Sequence, residues 1–187
     1  RECEDYTRSM NGQFGDDVLS VFLAWPDGRA QSLADGHVDI SDRAYFQSVF
    51  RDGAASVVSA PTVSKVTGEP SVMLVRAVKA PDGASRAMLC MEMSLKKCAE
   101  ITSSMNPSKT SYGWIVDNTG LVMVFPIADE VLKLNINNLD GKYGYEGMND
   151  LAKEVLSSGS ARGRVRQDKT VLSVFTAEVP HTPGWRL

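Results

Sequence analysis

The chain has 187 residues, 43% of them hydrophobic, and a formal net charge of −3, enough apolar material for one large or two small cored domains. It holds no Lys/Arg cluster longer than the pair Lys96-Lys97, so it lacks the electrostatic footprint of a nucleic-acid binder. No run approaches the roughly 18 to 20 apolar residues that span a bilayer, and residues 1–5 do not form a signal peptide, so the chain reads as soluble as it stands, and equally as an excised part of a membrane protein.

The opening residues 1–10 read as the end of a helix, broken at Gly12 and Gly15. Residues 18–25 form an apolar strand closed by the turn Pro26-Asp27-Gly28. Residues 43–51 carry Tyr45, Phe46, Val49 and Phe50 at helical spacing, with Ser41 or Asp42 as N-cap and Gly53 beyond the end. Three strands follow at residues 56–64, 71–79 and 86–93, separated by Thr67-Gly68-Glu69-Pro70 and Pro81-Asp82-Gly83. Residues 94–105 return to helical spacing, stopped by Asn106-Pro107.

A second unit then repeats the pattern. Residues 112–117 and 121–125 form a hairpin around Asn118-Thr119-Gly120. Residues 148–156 form a helix, and residues 161–167 and 170–179 form strands around Asp168-Lys169. Each unit is therefore α+β, an antiparallel sheet with helices segregated to one side. The strand and turn of residues 21–28 correspond to those of residues 113–120 in pattern, with little identity.

The stretch Asp39-Ile40-Ser41-Asp42-Arg43-Ala44-Tyr45-Phe46 places an arginine in the first turn of a helix, where the dipole disfavours a cation by a few tenths of a kcal/mol. A surface ion pair with Asp39 or Asp42 explains it, and the residues alone favour that reading. The alternative is a carboxylate site made of the guanidinium, the helix N-terminal amides and the Tyr45 hydroxyl.

Other chemistry finds little support. Cys3, Cys90 and Cys98 leave at least one cysteine unpaired and show no zinc spacing; Cys90 and Cys98 read as a disulfide or, more simply, as buried small hydrophobes. The two histidines, His37 and His181, read as exposed loop residues, so no nucleophile and base pair emerges. Residues 141–147 lack the strand and helix that flank a phosphate loop and read as a flexible loop. Asp117, Asp129, Glu130 and Asp140 lack calcium-loop spacing and read as solvated surface. Met88, Met91, Met93 and Met105 read as core packing, and Trp114 and Trp185 as walls of the second unit.

In their order, five groups of residues resemble the double Cache sensor family. They are residues 39–46 as quoted above; Val66-Thr67-Gly68-Glu69-Pro70; Cys90-Met91-Glu92-Met93-Ser94-Leu95; residues 113–120 with Phe125-Pro126; and Thr182-Pro183-Gly184-Trp185-Arg186-Leu187. They cover nearly the whole chain. The resemblance implies two tandem PAS-like (Cache) modules with an N-terminal helix, residues 1–105 holding the membrane-distal ligand-binding module and residues 106–187 the membrane-proximal one.

It further implies a non-catalytic extracytoplasmic sensor domain of a bacterial receptor, flanked by two transmembrane helices and joined to a chemoreceptor, histidine kinase or cyclic-nucleotide output module. No cofactor or metal is implied. The family's long N-terminal helix mediates dimer contacts; here only residues 1–10 correspond to it. By the resemblance Arg43 takes a ligand carboxylate, Tyr45 is the matching aromatic, and Glu92 stands where amino-acid binders place an aspartate for the ligand ammonium. Glu92 is also the one polar residue of the apolar run 87–93, and a carboxylate there needs a partner. The chain departs from the amino-acid binders in having Thr62, Ser64 and Tyr45 where they carry tyrosine, aspartate and tryptophan.

Two readings follow. In the first, a small carboxylate or amino-acid-like ligand contacts Arg43, Tyr45, Thr62, Ser64 and Glu92, with Ser41 at the helix mouth, and orders residues 59–68. In the second, the chain is a structural, dimerising or partner-binding module, its interior filled by Tyr45, Phe46 and methionines and Arg43 neutralised by Asp42 or Glu92.

Overall fold

The computed structural model describes residues 2–31, 37–105, 108 and 110–187. The chain divides into two compact units, Arg1–Lys97 and Cys98–Leu187, each with its own apolar core.

The first unit contains α1 (Glu2–Met10), β1 (Val18–Ala24), β2 (Arg29–Gln31), β3 (His37–Asp39), α2 (Ala44–Phe50), β4 (Ser56–Val58), β5 (Thr62–Val63), β6 (Pro70–Lys79) and β7 (Ser85–Ser94); α3 (Leu95–Ser104) begins in it and ends in the second. The strands form one antiparallel sheet in the order β3-β2-β1-β7-β6-β4, with β5 also paired to β6. Strand period two sets its inner face. Met88, Cys90 and Glu92 of β7 are buried there, level with Phe22 and Ser20 on β1 and with Ser71, Met73 and Val75 on β6. Helix α2 covers this face with Tyr45, Phe46 and Val49, each worth about 1.5 to 3 kcal/mol of burial. Gly28 ends the first turn at φ +91°, and a Cβ there would meet Asp39 Oδ1 at 2.8 Å and Ser41 Cβ at 2.9 Å. The turn therefore lies hard against residues 39–41, tied by Ile40 N donating to Gly28 O at 3.0 Å.

The second unit contains β8 (Ile115–Val116), β9 (Val122–Val124), β10 (Tyr145–Glu146), α4 (Met148–Ser157), β11 (Ser160–Gln167) and β12 (Thr170–Ala177). β8 pairs with β9, and β10-β11-β12 form a second antiparallel sheet. The last residues join the two: Arg186 bridges Val116 and Glu178, and Leu187 exchanges backbone bonds of 2.9 Å with Ala177. Helix α4 buries Met148, Leu151, Ala152 and Val155. Gly163 on β11 permits this approach, since a Cβ there would stand 2.6 Å from Leu151 Cδ1.

Several sequence expectations change. The strand expected over 56–64 is two short strands, because Pro61 has no N–H for the ladder and Ser59 turns its hydroxyl to its neighbour Ala60 O. Residues 141–147 are not a flexible loop: Gly141 N donates to Tyr145 O, Asp168 N to Gly144 O, and Tyr145 is a buried core residue on β10. Asp117 is not solvated surface, whereas Asp140 is exposed. Asp117 is buried and accepts from Thr119 N, Thr119 Oγ1 and Leu121 N, while Asp140 accepts from Met148 N and Asn149 N and so caps α4 from a distance. Of the four methionines only Met88 is buried core; Met91 and Met93 are half-buried on the opposite face of β7 and Met105 is exposed. Cys90 and Cys98 are free thiols, and burial raises both above the ordinary thiol range. His37 lies on β3, edge-on to Trp25 at 5.7 Å. The stop at Asn106-Pro107 falls outside the described residues.

Candidate ligand-binding site

A small cavity lies in the first unit between the inner sheet face, β2, β3, the start of α2 and the β5 segment. Arg43, Tyr45, Thr62, Ser64 and Glu92 all line it, beside Gln31 and a wall of Phe22, Val38, Ile40, Val66 and Met73. Its free volume is about 30 Å³. That holds about two waters, whereas a cavity of about 150 Å³ is needed for a benzene-sized guest.

Arg43 is the N-cap of α2 rather than a first-turn residue, with extended backbone at φ −78°, ψ 135°. Ser41 and Asp42 do not cap because their partners lie elsewhere. Asp39 Oδ1 accepts from Ser41 N at 2.8 Å, forming a turn before the helix, and Asp42 pairs with Lys65 at 2.7 Å. Lys65 Nζ also donates to Asp39 O. With only seven residues in α2, and Phe46 N and Gln47 N both directed at Arg43 O, the positive charge of the site resides in the guanidinium, not in helix amides.

That guanidinium donates from Nη1 to Thr62 Oγ1 at 2.7 Å and from Nη2 to Val63 O at 3.2 Å. Among the described residues no carboxylate forms an ion pair with it. Neither Asp42 nor Glu92 neutralises Arg43, contrary to the expectation of the structural reading.

Glu92 is 1% exposed, and its carboxylate accepts one hydroxyl on each oxygen, from Ser20 at 2.9 Å and Ser71 at 2.8 Å. Both serines are buried, and among the described residues no cation reaches it. Tyr45 is 5% exposed. Burial, opposed in part by Arg43, holds its phenol protonated far above the ordinary range, so it acts as a neutral hydroxyl. Among the described residues that hydroxyl has no hydrogen-bond partner.

Ser64 lines the cavity, but its hydroxyl is spent on its own turn, accepting from Val66 N and Thr67 N. Ser41 does not belong to the site. It borders a separate open groove of about 710 Å³ with Phe50, Arg51 and Lys79, and its carbonyl accepts from Gln47 Nε2. Gln31 and Lys65 also line the cavity and were missed by sequence reasoning; Gln31 sits on a three-residue strand, too short for a periodicity signal. Among the described residues no group of His, Cys, Asp and Glu could hold a metal ion, and no helix is long and apolar enough to cross a membrane.

No family model matches the sequence, and no curated protein matches it. Solved structures do. The extracellular domain of mmHK1S-Z2, described as a histidine kinase, superposes with a TM-score of 0.74 at 14% identity, covering 99% of this chain and 79% of that one. The ligand-binding domain of the Pseudomonas aeruginosa PAO1 amino acid chemoreceptor PctB, in complex with L-Arg, gives 0.70 at 15% identity over 97% and 75%. The ligand-binding domain of the Pseudomonas fluorescens chemoreceptor CtaA, in complex with L-isoleucine, gives 0.65 at 18% over 89% and 65%. At these identities the likeness is one of fold, and the fold is that of two tandem PAS-like Cache modules, each an antiparallel sheet flanked by helices.

Proposed function

We propose that this chain is an extracytoplasmic sensor domain of a bacterial transmembrane receptor, and that its first module takes a small carboxylate or amino-acid-like ligand in the Arg43 cavity. The observation that carries the reading is the convergence on one cavity of the Tyr45 hydroxyl with a guanidinium that has no counter-ion and a buried carboxylate that has no cation among the described residues. Those three groups match the two ends of a zwitterion, or a carboxylate with a donor nearby. The sensor structures named above, two of them holding amino acids, support it by fold. In this reading residues 1–105 carry the ligand and residues 106–187 pass its effect toward the membrane. The domain performs no catalysis itself and is anchored by segments outside this sequence.

The ligand carboxylate replaces Thr62 Oγ1 and Val63 O on Arg43, which requires residues 59–68 to move outward, because about 30 Å³ does not admit even a small organic acid. Binding shifts the module between those two arrangements only as far as the ligand prefers one over the other. The narrow closed cavity also favours a second reading, a structural or partner-binding module without a small ligand. Thermal unfolding with acetate, propionate, L-alanine and L-leucine separates the two. At least one probe raises the unfolding temperature, and Arg43→Ala abolishes the rise; four flat responses leave the structural reading standing.

A further inference from the structure

We infer that Lys65 is a positioning residue of this site: it latches residues 62–68 over the Arg43 cavity and so sets how readily a guest enters. The inference rests on the cavity reading above. Residues 62–68 are the short arm of a hairpin whose other side, β6, is paired to β7 from Ser71 onward. The arm's own ladder is brief. Thr62 faces Ser71, Val63 faces Pro70, which has no N–H to give, and Ser64 N donates to Glu69 O at 2.9 Å. The arm supplies Thr62, Val63, Ser64, Lys65 and Val66 to the cavity lining. Yet Val63 is 51% exposed and Val66 45%, so apolar burial holds it weakly.

Two cations reaching in opposite directions tie the arm down. Arg43 reaches out from the start of α2 to Thr62 and Val63. Lys65 reaches back from the arm, its ammonium donating to Asp42 Oδ1 at 2.7 Å and to Asp39 O at 2.9 Å. The turn that receives it is a firm catch, since Asp39 Oδ1 accepts from Ser41 N and Ile40 N donates to Gly28 O. A guest carboxylate competes for Arg43, whereas the bonds of Lys65 are given up when the arm lifts, whatever the guest. Lys65 therefore changes the open fraction, and with it the apparent affinity of every guest by one common factor. The ion pair is exposed, so that factor is modest.

Hydrogen exchange at the Ser64 amide, measured without ligand, reads lifting of the arm, and titration with propionate and L-alanine reads access to the cavity. In the unaltered chain Ser64 is less protected than Cys90 in the middle of the sheet. Lys65→Met, which keeps the stem, speeds Ser64 exchange about two- to fivefold and tightens both probes by that same factor. Asp42→Asn gives part of the gain, and the double variant no more than Lys65→Met alone. Lys153→Met, which breaks another exposed ion pair, with Asp150 in the second unit, changes neither readout. If Ser64 is as protected as Cys90, if its exchange is no faster in Lys65→Met, or if faster exchange brings no tighter binding, the inference falls while the cavity reading stands. If neither probe binds any of these chains, or both bind equally well to Arg43→Ala, the cavity reading falls and this inference with it.

Discussion

The two modules share a fold but treat buried polar groups in opposite ways. In the second, buried polar groups meet their own neighbours: Asp117 holds its turn through three donors, and the Tyr145 hydroxyl lies 2.6 Å from that of Tyr112. Around them Val122, Leu139, Ala152 and Val165 pack without an open polar end. In the first module, among the described residues, Tyr45 leaves its hydroxyl unpartnered, Glu92 has hydroxyls but no cation, and Arg43 has oxygens but no counter-ion. Unmet polar capacity inside a fold is costly. Among the described residues this unmet capacity lies in the first module, at the Arg43 cavity and at Gln47 Oε1 beside the separate groove.

The contrast can be broken most forcefully through the second core. Leu139 is fully buried, and Leu139→Ala should cost about 2 to 5 kcal/mol in urea unfolding; a loss under about 1 kcal/mol would show that this core relaxes freely around the cavity left behind. A sharper comparison sets two tyrosines side by side. Tyr145→Phe removes a hydroxyl bonded to Tyr112 and should cost about 1 kcal/mol. Tyr45→Phe removes one with no protein partner and should leave stability within about 0.5 kcal/mol, while weakening a carboxylate probe by up to about tenfold. Equal stability losses from the two would erase the distinction.

The smallest effect lies at the cavity mouth. The Lys65 ammonium bonded to Asp42 holds that carboxyl below its usual range. A depressed folded-state value means the contribution is present above the unfolded value near 4 and lost as pH falls through the folded one. The pair is exposed, so the gain is small. The gap in unfolding temperature between the unaltered chain and Lys65→Met should therefore close on acidification from about pH 6 to about pH 3; a gap that widens would show that Lys65 acts through something other than Asp42.

Much of the fold was legible because its longest elements are regular. The hairpin β6–β7 has ten residues in each strand, long enough for alternation to show, and the Asp82 carboxylate with Gly83 at φ +83° closes it as a turn should. Strands β2, β3 and β10 have two or three residues and exist because neighbouring strands offer them a ladder, which no local pattern records. At the site, Arg43, Tyr45 and Glu92 were reached through an ordered resemblance, and they do line one cavity. Ser41 was drawn in by its capping preference; it was lost because Asp39 accepts its backbone N–H first. Gln31 is placed by bonds to residues 27 and 24 positions earlier in the chain, a separation that composition and spacing do not encode.

The contacts of Arg43 with Thr62 and Val63 give the protein an internal competitor for whatever takes that guanidinium. Competition of this kind sets a threshold: if the closed loop outweighs the open one tenfold, the apparent dissociation constant rises by about tenfold over that of the open form. Exchanging the Thr62 hydroxyl for a methyl group would then lower the concentration at which an anion takes Arg43, so the threshold of such a site is set at residue 62 rather than at the residues that would contact the anion.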